Sequence, residues 1–285
     1  MRYAKPKSVD EAIALLGDGS WRLIAGGTDF YPAQGNRPIH DDVLDLNGLR
    51  DLRFIIEDDE YFVFGARATW SDIAKAAHLP PAFDMLRLAA REVGSVQIQN
   101  VGTIAGNLCN ASPAADGVPP LLALDAEVEL RSIEGTRYLP LSDFVLGNRQ
   151  IARRSDELVT AVQVPKRAAE GVSHFVKLGA RRYLVISIAM VAARLVLDEN
   201  RRIADAAISV GSCSAVAVRL SELEAQLRGA SASQVEAVIA ASSLAEISPI
   251  DDVRATADFR REAAREIVVR AVRACLTYTE GQIAA

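Results

Sequence analysis

Cysteine and histidine are scarce in this chain, three of each in 285 residues. Cys109, Cys213 and Cys275 stand far apart with no CxxC spacing, and His40, His78 and His174 do not cluster with them. Metal and iron–sulfur sites need several such ligands close together, so this chain alone builds neither. An excess of basic residues is also lacking. Lys and Arg number 32 against 37 Asp and Glu, the net charge is −5, and the arginine pairs are scattered. That disfavours nucleic-acid binding, which needs a basic footprint. Long apolar runs are missing too: the stretch from Leu184 to Leu197 is interrupted by Arg194 and is too short to span a bilayer. The opening MRYAKPKSVDEA has no apolar core of a signal peptide, so the expected location is cytoplasmic. The histidines have no evident carboxylate or nucleophile partners, which leaves a triad or metal mechanism unsupported. Cys109 reads as a small packing residue, and Trp21 and Trp70 as core.

What the chain does have is apolar content of 50%, enough for one large core or two or three smaller ones. Ser8 followed by Glu11 predicts a capped helix over residues 9 to 16. Trp21 to Ala25 and Tyr61 to Gly65 read as strands, Ser71 to Ala77 and Phe83 to Val93 as helices separated by Pro80 and Pro81. Residues 95 to 117 show no helical or strand period and read as a functional loop. Ala126 to Arg131 and Arg137 to Leu141 predict a hairpin, and Leu158 to Val164 alternates with period two. His174 to Gly179, Ile186 to Leu197 and Ile203 to Val210 predict a second sheet. Ser233 with Glu236 predicts a capped helix ending near Leu244, and Phe259 to Thr279 a long one. The fold class is therefore α+β, with its best boundary in Lys166 to Val172.

Glycine is concentrated in two turns, AGGTD at Ala25 to Asp29 and NVGTIAGN at Asn100 to Asn107. Glycine lets a backbone curl so that successive amides converge on a phosphate. The plainer alternative is that these glycines only satisfy turn geometry. Thr28, Thr103 and Asn107 are neutral donors suited to an anion, whereas Asp29 is expected to hold its loop's own amides or a sugar hydroxyl. Neither turn matches GxGxxG, and no GK[ST] follows Gly106, so both common nucleotide folds fit poorly. Asp116 is either a helix N-cap or an acceptor for ligand hydroxyls. Lys177 is either an exposed strand lysine or a positive charge placed beside an electron-accepting ring.

Taken together, LIAGGTDF (Leu23 to Phe30), GARATWSDI (Gly65 to Ile73), VGSVQIQNVGTIAGNLCNASPAADG (Val93 to Gly117) and KLGARR (Lys177 to Arg182) resemble the FAD-binding medium subunit of the molybdenum hydroxylases. That is the family of the xanthine dehydrogenase and carbon monoxide dehydrogenase medium subunits, and the resemblance runs from near Met1 to the final helix. It implies a two-part N-terminal FAD-binding domain of the PCMH type, residues 1–168 with a split near 55–60, then a C-terminal antiparallel sheet packed with helices, residues 169–285. By the same resemblance Leu23, Ile24, Ala25, Gly26, Gly27, Thr28, Asp29 and Phe30, with Thr103, Ile104, Ala105, Gly106 and Asn107, wrap the FAD pyrophosphate. Asp116 bonds the ribityl hydroxyls, Val159 and Lys177 lie near the isoalloxazine, and Val93 falls where relatives contact the adenine.

Two positions depart from the family pattern: Ala105 stands where TIGGN has glycine, and Val93 cannot stack on adenine as an aromatic would. The cysteine-containing insertion of the benzoyl-CoA reductase branch has no counterpart. The implied activity is electron transfer. A large molybdenum-cofactor subunit hydroxylates a substrate, a small iron–sulfur subunit relays electrons, and FAD on this chain passes them to an acceptor, with Lys177 stabilising negative charge on the reduced ring. Molybdopterin and iron–sulfur clusters belong to the partner subunits only. Two other readings stay open: a nucleotide-binding or assembly protein that has lost flavin, which would be colourless, and a free-standing flavoprotein oxidase, which would need its own acid or base.

Overall fold

The computed structural model describes residues 1–182 and 184–283. Three principal sheets follow one another, each with its own helices. The first is parallel: Val43–Asp45 lies between Tyr3–Ala4 and Arg22–Ile24. Between its first and last strands runs the helix Val9–Gly17, which buries Ala12, Ile13 and Leu16. Its start is set by Ser8, whose hydroxyl accepts from the Glu11 amide at 3.2 Å, while the Glu11 carboxylate returns to the Lys7 amide at 2.8 Å.

The second sheet is antiparallel, ordered Ile55–Glu57, Tyr61–Gly65, Leu158–Pro165, Glu127–Ser132, Gly135–Pro140. Its central strand, Leu158–Pro165, is buried along its whole length. With no solvent face, it keeps Thr160 and Gln163 only because Glu129 and Glu127 on the next strand accept from them. The predicted helix pair around Pro80 and Pro81 is present as Trp70–Lys75 and Asp84–Glu92.

The third sheet, Val172–Leu178, Ala189–Leu197, Ile203–Gly211 and Val218–Arg219, is antiparallel throughout. Side chains alternate across a strand, and here both faces are covered. Phe175, Met190, Ala192 and Ala207 pack into the core of the N-terminal part. Val191, Ala193, Leu195 and Ile208 pack against the C-terminal helices Ser221–Leu227, Val235–Ala241 and Ala257–Ile283. This is why the 189–197 strand is so apolar. No helix among the described residues is long and apolar enough to cross a membrane.

Two sequence expectations need correction. Residues 95 to 117 are not an irregular loop: they contain the helices Val96–Val101 and Ile104–Asn110. Each is too short to display a 3.6-residue period, and the legible signals were their caps, Ser95 and Thr103. Ser233 does not cap the helix Val235–Ala241: the cap position is Gln234, and the Ser233 hydroxyl pairs with that of Ser231 at 3.0 Å.

The helix Trp70–Lys75 bears directly on the site. Thr69 and Asp72 form a reciprocal capping box, and Arg53 grips both Asp72 oxygens at 2.8 and 2.9 Å. Burial works against ionisation, but the bonds from Arg53 and Thr69 outweigh it and lower the Asp72 carboxyl to about 2. A carboxyl depressed on folding stabilises above its unfolded pKa, near 4, and loses that contribution as pH falls toward about 2. Asp72→Ala is expected to cost about 1–2 kcal/mol at neutral pH and to flatten the loss of stability between pH 4 and 2. Urea unfolding across that range checks it, and a variant as stable as the parent at pH 7 contradicts it.

Candidate functional site

The strand Arg22–Ile24 ends in the first glycine turn, and the short helix Phe30–Gln34 follows it. Gly27 has φ +72°, a left-handed conformation that favours glycine. At Gly26 the constraint is space. A Cβ there would sit 2.0 Å from the Val101 carbonyl oxygen and 3.0 Å from the Gly102 Cα. The backbones of the two glycine turns are therefore in direct contact. Sequence spacing alone could not show this, because the turns lie some seventy-five residues apart.

Each turn is tied down separately. The Asn47 side chain donates to the Ala25 carbonyl at 2.7 Å and is itself held by Asp45 at 2.8 Å. The second turn bridges to the capped helix start: the Trp70 amide donates to Gly102 O at 3.1 Å, and the Ile104 amide to Ala68 O at 2.9 Å.

This pinning leaves donors unused. Among the described residues, the backbone amides of Gly26, Gly27, Thr28, Asp29 and Ala105 donate no hydrogen bond, and the buried Asn107 Oδ1 has no partner. Gly26, Gly27 and Thr28 are half-buried and Asp29 is exposed, so these amides are open to solvent or to a polar ligand. They border a cavity of about 600 Å³. Leu23, Ile24, Ala25, Gly26, Gly27, Thr28, Asp29, Phe30, Val93, Thr103, Ala105, Gly106, Asn107 and Val159 all line it.

Three predicted residues do not line this cavity. Ile104 is fully buried, and its amide is spent on Ala68. Asp116 and Lys177 form an ion pair at 2.7 Å, with side chains 10% and 7% exposed. Asp116 also accepts from Ser187 Oγ at 3.0 Å, and Lys177 donates to the Glu92 carbonyl at 3.2 Å. Lys177 is thus inward and paired, lining a second cavity of about 600 Å³ with Leu88, Glu92 and Phe175. Glu92 borders that second cavity and Val93 the first, so the two spaces flank one point of the chain. Burial pushes the Asp116 carboxyl up, while Lys177 and Ser187 pull against it.

Two alternatives are settled. Asp116 is not an N-cap, since the helix Val118–Ala123 begins at Gly117 without a side-chain cap. Asp29 precedes the helix Phe30–Gln34 but makes no cap bond, so it does not hold its own loop's amides.

The sequence reading also missed residues. Arg22, Arg67 and Arg153 line the first cavity, and Cys109 lies among them with its thiol pushed up to about 11 by burial. The arginines were hidden in a strand, in the GARATW motif and in a surface-like pair; only the position of Arg67 inside a singled-out motif could have flagged it. No cluster of His, Cys, Asp or Glu among the described residues could hold a metal.

Free amides from two turns meeting over a backbone contact, an unpartnered Asn107 oxygen and neutral hydroxyls at Thr28 and Thr103 suit the linked phosphates and hydroxyls of FAD. Residues 1–167 match the family model described as the FAD binding domain in molybdopterin dehydrogenase, and residues 174–275 match the CO dehydrogenase flavoprotein C-terminal domain. The nicotine 6-hydroxylase medium subunit of Paenarthrobacter nicotinovorans is 31% identical over 95% of this chain and 96% of its own. The nicotinate dehydrogenase FAD-subunit of Eubacterium barkeri is 37% identical over 193 residues, 65% of each chain. A solved carbon monoxide dehydrogenase from Hydrogenophaga pseudoflava superposes with a TM-score of 0.88 at 28% identity, covering 97% of both chains. The chain belongs to the FAD-binding subunits of the molybdopterin dehydrogenase family, and its cofactor is FAD.

Proposed function

We propose that this chain is the electron-transfer subunit of a molybdenum hydroxylase, taking electrons from an iron–sulfur partner and passing them to an external acceptor. The observation that carries the reading is the pair of glycine turns in contact at Gly26, whose free amides face a cavity of about 600 Å³. Relatives named as subunits of nicotine 6-hydroxylase and nicotinate dehydrogenase support assembly with further subunits. The large molybdenum-cofactor subunit and the small iron–sulfur subunit are the proposed partners. The division of the chain at residue 168 and the assignment of the predicted site residues to FAD belong to the same proposal.

When bound, FAD supplies the exchange between electrons arriving singly and leaving in pairs. The chain's residues position it. The amides of Gly27 and Thr28 and that of Ala105 would hold the pyrophosphate. Asn107 receives a hydroxyl or amine in the place of its missing partner, and Val93 offers an apolar wall to the adenine. Lys177 would act from the ring end, and its charge is held by Asp116 across the junction between the N-terminal part and the third sheet. A paired lysine acts on a neighbouring ring as a dipole, a weaker influence than the free charge expected from sequence.

Three outcomes are expected. The purified chain carries FAD, seen as bound yellow flavin, and co-purifies with two further subunits; a colourless chain that takes up no FAD contradicts the reading. Gly26→Ala forces the turns apart and lowers FAD affinity by at least about 100-fold, the equivalent of two lost charge-assisted bonds, read by flavin fluorescence titration. Lys177→Met leaves Asp116 buried without its cation and costs about 3–5 kcal/mol, most of which Lys177→Met with Asp116→Asn recovers in thermal melts. If that double variant also keeps the parental flavin potential, Lys177 does not tune the ring.

A further inference from the structure

Three guanidinium groups reach the wall of the first cavity, and they differ in what already satisfies them. Arg22 is committed: it lies over the Phe30 ring at 4.2 Å, donates to Gln34 at 2.6 Å and pairs with Asp41 at 3.3 Å. Arg153 donates through Nη1 alone to the carbonyls of Arg154, Ser155 and Glu157 in its own loop, and none of its nitrogens is buried without a partner among the described residues. Arg67 is different. Its Nη1 donates to Leu49 O at 3.2 Å and its Nη2 to Asn47 Oδ1 at 3.0 Å, both neutral acceptors. Its Nε is buried and has no partner, and among the described residues no carboxylate pairs with it.

The surroundings make this cation costly. Burial, with the charge of Arg53 adding to it, lowers the guanidinium below the usual arginine value; Asp45 offsets this in part and Arg50 adds to it. Asp45 itself is engaged by Tyr3, Lys5 and Asn47. Arg53 is neutralised by Asp72. A partly desolvated cation without a counter-ion is unfavourable unless an anion is supplied, and Arg67 is one of the residues that line the cavity. Its position is also specific: Arg67 bonds Asn47, and Asn47 bonds the Ala25 carbonyl, so the guanidinium is two hydrogen bonds from the first glycine turn.

We propose that Arg67 is the residue that recognises the negative charge of the FAD pyrophosphate and sets the affinity for it, an assignment that rests on the FAD reading above. The free amides shape the phosphate cradle but carry only partial charge, and Arg67 supplies the full one. Arginine suits the task, since its planar fork can keep Leu49 and Asn47 with one N–H of each terminal nitrogen and offer the other N–H bonds to phosphate oxygens.

The test compares the flavin-free full chain with Arg67→Met and Arg67→Lys by FAD titration at low and high salt, alongside thermal melts without flavin. Arg67→Met is expected to bind FAD about 10- to 100-fold more weakly at low salt, and its affinity should depend less on salt than that of the parent. The flavin-free variant should melt no lower than the parent, because an uncompensated cation has been removed. Arg67→Lys should recover part of the affinity and the salt dependence. Unchanged FAD affinity in Arg67→Met overturns the proposal. So does weaker binding with the parental salt dependence and a lowered melting temperature, which would make Arg67 a brace for Asn47 and nothing more. A parent chain that binds no FAD at any salt removes the cofactor reading itself, a failure visible before any variant is made.

Discussion

Everything proposed for this chain depends on one backbone contact, that between Gly26 and the Val101–Gly102 peptide. The space there admits no Cβ, so the contact exists only because residue 26 is glycine. The contact brings two turns from distant parts of the chain into one cradle, and each is tensioned from behind. Asn47 and Asp45 hold the first turn, while the Thr69–Asp72 capping box and the Trp70 amide hold the second. The result is a row of amides that make no hydrogen bond within the described residues. Donors left free on a cavity wall are available to a ligand with phosphate oxygens.

The C-terminal sheet contributes in a different way. With one face in the N-terminal core and the other against its own helices, it is a shared wall between the two parts of the chain. Ser173 is buried at this junction, accepting from the Met85 amide at 2.9 Å and donating to the Ala82 carbonyl at 2.8 Å. Lys177, on the same strand, reaches Asp116 across that wall. The junction is therefore closed by hydrogen bonds and a buried ion pair as well as by apolar packing. The strand Val172–Leu178 cannot shift without breaking them, and the second cavity beside Lys177 is fixed relative to the first.

Much of this was legible in the sequence, for reasons tied to particular residues. Ser8 and Glu11 announced the first helix, and Pro80 and Pro81 divided the next two. The two glycine turns stood out because glycine is concentrated in them between well-patterned elements. The helices within 95 to 117 were not legible, since six or seven residues cannot show a helical period and only their caps, Ser95 and Thr103, gave them away. Nor was the Asp116–Lys177 pair, because both residues were read singly, as a possible cap and a possible free charge. The role proposed for Arg67 was invisible for the same reason. A cation is ordinary in sequence and becomes informative only when the structure shows a buried nitrogen without a partner and no carboxylate paired with it among the described residues.

The central claim is that the two turns form one phosphate cradle, and the most direct measurement is an experimental structure of the chain with FAD bound. The account places the pyrophosphate between the turns, with its oxygens about 3 Å from the amides of Gly27 and Thr28 on one side and Ala105 on the other. A pyrophosphate bound away from both turns, with those amides still unmet, would contradict it.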